Sequence, residues 1–124
     1  MSRGKIFLID DSEVVLDVAR HTLREAGFDV ETSDNPLAAA RPIGKFRPDL
    51  VLVDIQMPSI QGDVVASLLR THLPNLVILL HSDLPEEELK ERAHAAGANG
   101  YLRKTSDRAS FVAQVTHWME KARA

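Results

Sequence analysis

The chain has 124 residues, 44% hydrophobic and 27% charged, which suits one domain (1–124) with a buried core and is too short for two of ordinary size. Lys plus Arg number 15 against 18 for Asp plus Glu, a net charge of -3 that argues against direct nucleic-acid binding. With no cysteine there is neither a disulfide framework nor thiolate chemistry, and no apolar stretch reaches the length of a membrane span, so the expected location is the cytoplasm.

Short apolar runs recur at 5–9, 28–32, 50–53, 76–80 and 100–103, each followed by a segment of helical period. The first helix is predicted to start on Ser12 as N-cap, to present Val15, Val18, Ala19, Thr22 and Ala26 on one face, and to stop at Gly27. The second covers about 36–45, where Pro42 is expected to kink or shorten it. The third runs from about 63 to 73 with Val65, Leu68, Leu69 and His72 facing one way, and Pro74 ends it. The fourth opens on a first-turn Pro85 followed by Glu86, Glu87 and Glu88, which suit the positive end of the helix dipole, and closes at Gly97. The last begins near Ser106 or Asp107 and carries Phe111, Val115, Trp118 and Met119 as its apolar stripe.

Five strands alternating with five helices indicate an α/β parallel sheet. The runs at 5–9 and 50–53 are apolar rather than alternating, which places them in the middle, covered on both faces. The active crevice of such a sheet lies beyond the carboxyl ends of its strands. Asp10, Asp11, Asp54, Ser82 and Lys104 all fall there. Three carboxylates converging in a partly dry cleft repel one another, so their clustering predicts a hard divalent cation.

In order, the motif-bearing segments are IFLIDDS at 6–12, LVLVDIQMPSIQG at 50–62, LLHSD at 79–83 and GYLRKT at 100–105. Together they resemble the receiver domain of bacterial two-component response regulators, and the resemblance covers essentially the whole chain. It implies a flavodoxin-like, doubly wound, five-stranded sheet of order 2-1-3-4-5. It also implies that Asp54 accepts a phosphoryl group from a histidine kinase or phosphotransfer protein, in a signalling domain rather than a turnover enzyme. Mg2+ would be held by Asp10, Asp11, Asp54 and the backbone carbonyl of Gln56. Lys104 would pair with Asp54 and then with the phosphoryl group, Ser82 would donate its hydroxyl to it, and Tyr101 would be the switching aromatic. Output to an effector domain, or homodimerisation, would use the face formed by the fourth helix, fifth strand and fifth helix.

The energetics of such a switch are demanding. Moving an equilibrium from about 1:99 to 99:1 takes roughly 5.5 kcal/mol. Two charge-assisted hydrogen bonds, from Ser82 and Lys104, supply about 1.5 to 3 kcal/mol each.

The sequence departs from the family pattern at two places. Thr105 follows Lys104 where the family carries a proline in a cis bond, so either a trans bond with a rearranged loop or a strained cis bond is expected. Asp83 follows Ser82 where a small residue is usual, adding bulk and charge at the crevice mouth. These departures keep open a receiver-like binding module that signals without phosphorylation. A haloacid-dehalogenase-type phosphatase also uses Asp, Lys, Ser or Thr and Mg2+. That class needs a second Asp two residues after its nucleophile, where this chain has Gln56. His21, His72, His94 and His117 fall on predicted helices without metal-ligand spacing and are expected at the surface, whereas His81 borders the crevice.

Overall fold

A computed structural model describes residues 2–124. In chain order it contains β1 (Lys5–Ile9), α1 (Glu13–Glu25), β2 (Asp29–Ser33), a 3-10 turn (Pro36–Ala38), α2 (Ala40–Phe46), β3 (Leu50–Asp54), α3 (Gly62–His72), β4 (Ile78–Ser82), α4 (Glu86–Ala95), β5 (Gly100–Arg103) and α5 (Arg108–Ala122). All strand pairs are parallel and the sheet order is β2-β1-β3-β4-β5, the flavodoxin-like arrangement expected. The order reverses between β1 and β3. A crevice opens where the connections leaving their carboxyl ends diverge to opposite faces.

Alternation along the strands divides the core in two. Ile6, Leu8, Leu50, Leu52, Leu79 and Leu102 pack on Leu16 and Leu23 of α1 and on Phe111, Val115 and Met119 of α5. Phe7, Ile9, Val51, Val53, Ile78 and Leu80 point the other way, onto Ile43, Val65, Leu69, Leu89 and Ala93 of α2, α3 and α4. Every residue of β3 is buried, as the unbroken apolar run requires. Each fully buried Leu, Ile or Val contributes about 1.5 to 3 kcal/mol, so the two central strands anchor the fold.

Helix boundaries follow their local chemistry. The Ser12 hydroxyl accepts the Val15 N–H at 3.3 Å and starts α1, while Asp107 accepts from Ala109 at 3.0 Å and Ser110 at 3.3 Å to start α5. Gly27 and Gly97 take positive φ, 101° and 74°, just past the ends of α1 and α4.

Several expectations are corrected. On α1 the buried residues are Leu16, Thr22 and Leu23, whereas Val15 and Val18 are exposed, because both sides of this helix carry apolar residues and period alone does not fix its phase. On α3, Val65, Ala66 and Leu69 are buried while Leu68 and His72 face solvent, since the small Gly62 and Ala66 let that side approach the sheet. The expected second helix is split, and Pro42 sits in the first turn of α2, where no interior N–H is needed. Pro85 is the N-cap of α4 rather than its first-turn residue. Phe28 precedes β2, its N–H bonded to the Leu23 carbonyl, and β4 starts at Ile78 rather than at residue 76.

Candidate functional site

Strand ends build the site. Asp10 follows β1, Asp54 closes β3, Ser82 closes β4 and Lys104 follows β5, so the sheet itself gathers groups that are far apart in sequence. Asp10 (5% exposed), Asp54 (3%) and Ser82 (0%) are buried, whereas Asp11 is exposed. Carboxylate oxygens of Asp10, Asp11 and Asp54 all lie within 4.8 Å of one another. The ammonium of Lys104 stands 3.2 Å from Asp54 Oδ1 and 3.7 Å from Asp10 Oδ2. Backbone amides complete the floor: Ser12 donates to Asp10 Oδ1 at 3.0 Å and Gln56 donates to Asp54 Oδ1 at 3.3 Å.

Charge here is incompletely balanced. Burial raises the Asp10 carboxyl above its ordinary value, the Ser12 N–H opposes this, and the Asp54 charge adds to the rise. Three carboxylates facing one ammonium leave room for about two positive charges, and an all-oxygen donor set suits a hard divalent ion. The donors therefore fit the cation that the clustering predicts.

Two close approaches hold the loop after β3. The N–H of Gly62 donates to the Ile55 carbonyl at 2.9 Å, and a Cβ on Gly62 would overlap the Asp54 carbonyl oxygen. Only glycine lets α3 begin against the backbone of Asp54. Farther on, Arg92 of α4 donates to Asp63 Oδ2 at 3.1 Å and to Gln61 Oε1 at 2.6 Å, tying α4 to the start of α3. The second oxygen of Asp63 is buried without a partner, so this guanidinium is its main compensation.

On the other side of the crevice, the Ser82 hydroxyl oxygen accepts the Leu84 N–H at 3.1 Å and so shapes the turn that leaves β4. Asp83 itself is exposed, outside the carboxylate cluster. Its carbonyl and that of Leu84 receive Arg103, at 3.5 and 3.1 Å. Tyr101 packs partly buried against the α4-side core and donates its hydroxyl to Glu86 Oε1 at 2.9 Å. That bond raises the phenol above its ordinary value, with desolvation and the charges of Glu86 and Glu87 adding to it.

No cis peptide bond occurs among the described residues, so the Lys104–Thr105 bond is trans, and Thr105 Oγ1 accepts the Asp107 N–H at 3.1 Å to shape the loop. Beside the crevice lies a hollow of about 430 Å³ lined by Val14, Val15, Val18, His81, Lys104 and Phe111, among others. None of the three aspartates lines it, so it flanks the charged site.

Sequence reasoning missed the ties made by Arg92, Arg103 and Glu86. No local pattern reveals them, because every one of these bonds joins residues 15 or more positions apart in sequence. His21, His94 and His117 are exposed, as expected, and His72 is exposed as well, off the face on which helical period places it.

A family model of the response regulator receiver domain matches residues 6–116. The chemotaxis protein CheY of Halobacterium salinarum is 29% identical over 108 residues, 87% of this chain and 90% of that protein. The transcriptional regulatory protein PrrA of Mycobacterium tuberculosis is 31% identical over 111 residues, 90% of this chain, which spans only 48% of PrrA. Among solved structures, the chemotaxis protein CheY4 of Vibrio cholerae superposes with a TM-score of 0.84 at 27% identity, covering 92% of this chain and 97% of that one. With this match over most of its length, on a sheet of the same order, the chain belongs to the response regulator receiver domain family.

Proposed function

We propose that the chain is a phosphoacceptor switch, in which Asp54 takes a phosphoryl group from a phosphohistidine of a histidine kinase or phosphotransfer protein. The observation that carries this reading is the Lys104 ammonium held 3.2 Å from a buried Asp54 carboxylate that belongs to a three-aspartate cluster. A carboxylate is a weak nucleophile towards an anionic phosphoryl group, so catalysis here is positioning plus charge neutralisation. Asp10, Asp11, Asp54 and the Gln56 carbonyl would hold Mg2+, which when bound neutralises the charge of the incoming phosphoryl oxygens.

The chain's own residues do the rest. Asp54 forms the new O–P bond as the donor's P–N bond breaks, giving an acyl phosphate. Lys104 moves its ammonium from the carboxylate to a phosphoryl oxygen. Ser82 keeps its oxygen on the Leu84 N–H and turns its proton towards the modified group. The Arg103 contacts to the Asp83 and Leu84 carbonyls and the Tyr101–Glu86 bond pass the change to α4, and the surface of α4, β5 and α5 meets an effector domain or a second copy. The donor approaches over α1, where Val14 (73% exposed) and Val18 (51%) present apolar surface beside the crevice.

Acetyl phosphate with Mg2+ followed by intact-mass measurement tests the proposal. The wild-type chain should gain the mass of one phosphoryl group and Asp54→Ala should gain none. An unmodified wild type that is also silent to beryllofluoride in amide spectra would favour the phosphate-independent binding module.

A further inference from the structure

Lys104 must cross a strand to do its work. It follows β5, while Asp54 ends β3, and β4 lies between them. Two interstrand spacings amount to about 9.5 Å, so the lysine and aspartate side chains together must span the width of β4. Strand alternation identifies what lies beneath. His81 pairs laterally with Asp54 on one side and with Leu102 on the other, and His81, Leu102 and Leu79 share the face turned towards α1 and α5. The His81 ring stacks on Phe111 of α5, centroids 5.5 Å apart and planes 13° from parallel. Both rings and Lys104 line the 430 Å³ hollow between α1 and α5, which is the space a lysine released from the carboxylates would enter.

We infer that His81 is a positioning residue: its ring, pinned by Phe111, forms the floor over which the Lys104 methylenes pass, and it keeps the ammonium on Asp54 and Asp10 rather than in the neighbouring hollow. The ring is suited to this job as a neutral group. Its Nε2 is buried without a hydrogen-bond partner, and burial, then the nearby Lys104 charge, push the imidazole down to about 4. A charged ring at this place would repel the ammonium it supports. This inference deepens the phosphoacceptor reading and rests on it for its kinetic consequence, although the placement of Lys104 is measurable without phosphorylation.

Two opposite shifts distinguish positioning from general damage. In His81→Ala the ammonium gains freedom to leave the carboxylates, so phosphorylation of Asp54 by acetyl phosphate should slow about tenfold, within the ~100-fold that a 1 Å misplacement can cost. Mg2+ affinity, measured by amide chemical-shift titration without any phosphodonor, should instead rise severalfold as the competing positive charge departs. His81→Phe keeps the stack on Phe111 and should restore both quantities to within about twofold of wild type. Should His81→Ala fail to fold, Phe111→Leu removes the stacking partner at similar volume and carries the same pair of expectations.

A wild-type rate and Mg2+ affinity in His81→Ala overturn the inference, as do parallel losses of both, or a His81→Phe protein as slow as His81→Ala. A wild-type chain that binds Mg2+ yet never accepts phosphate defeats the phosphoacceptor reading instead, and the Mg2+ titration still judges the role of His81.

Discussion

Ser82 Oγ accepts the Leu84 N–H at 3.1 Å, which fixes the oxygen and leaves the hydroxyl proton free to be donated. The residue is fully buried at the end of β4, so its proton has few alternatives to the crevice. Ser82→Ala should therefore leave Asp54 able to take a phosphoryl group while weakening the response of α4 and β5. Losing one charge-assisted hydrogen bond removes about 1.5 to 3 kcal/mol from the preference for the switched state. Amide shifts induced by beryllofluoride and Mg2+ check this: shifts around Asp54 should persist in the mutant and those in α4 should shrink. Equal α4 shifts in both proteins would remove Ser82 from the switch.

Gly62 tolerates no side chain. A Cβ would overlap the Asp54 carbonyl and press on the backbone of Ile55, neither of which can rotate away. Gly62→Ala should cost about 3 kcal/mol or more of stability, at the upper end for overpacking, and should displace the Asp54 carboxylate as well. Urea unfolding gives the first quantity and acetyl phosphate kinetics the second. By contrast Gly44, which has open space around it, should accept alanine with little change.

Tyr101 is the only tyrosine, so its ionisation can be followed by ultraviolet absorbance without assignment. The bond to Glu86 favours the neutral phenol and raises the folded value above the unfolded one. Its stabilising contribution is thus fully present below the unfolded value of about 10 and is lost as pH rises through the folded value. Glu86→Gln should bring the midpoint back towards 10, because the charge that opposes phenolate is gone. A midpoint unmoved by that substitution would mean the two side chains are apart in solution.

His81 makes an acid-side prediction of opposite sense. With its imidazole pushed down to about 4 from 6.5, the native chain binds fewer protons than the unfolded chain between these values. Stability held above pH 6.5 should fall as pH drops towards 4, by on the order of 3 kcal/mol from this group. Denaturant titrations at pH 7 and pH 4.5 measure the fall. The difference should be smaller in His81→Phe, which cannot titrate.

Most of this architecture is legible in the amino-acid order, because the apolar runs at 6–9 and 50–53 each lead directly into an aspartate. Parallel strands place their carboxyl ends on one edge, so the convergence of Asp10, Asp54, Ser82 and Lys104 follows once the strands are identified. Phase on the helices is harder. Val14, Val15 and Val18 are as apolar as Leu16 and Leu23, and the choice between them rests on which side meets the sheet, a tertiary fact. The same holds for Arg92, whose partners on the far side of a loop depend on how two helices come to lie together.

That guanidinium sets a mechanical condition on the molecule. Gln61 and Asp63 stand at the far end of the segment that begins at Asp54, and Arg92 bolts that end to the last turn of α4. A helix fastened there cannot swing as a free lever: it must pivot about residue 92, carry the start of α3 along, or strand a carboxylate that has no other neighbour to satisfy it. Whatever surface this helix offers to another protein is therefore geared to the backbone leaving Asp54 from below as well as through Ser82 from above.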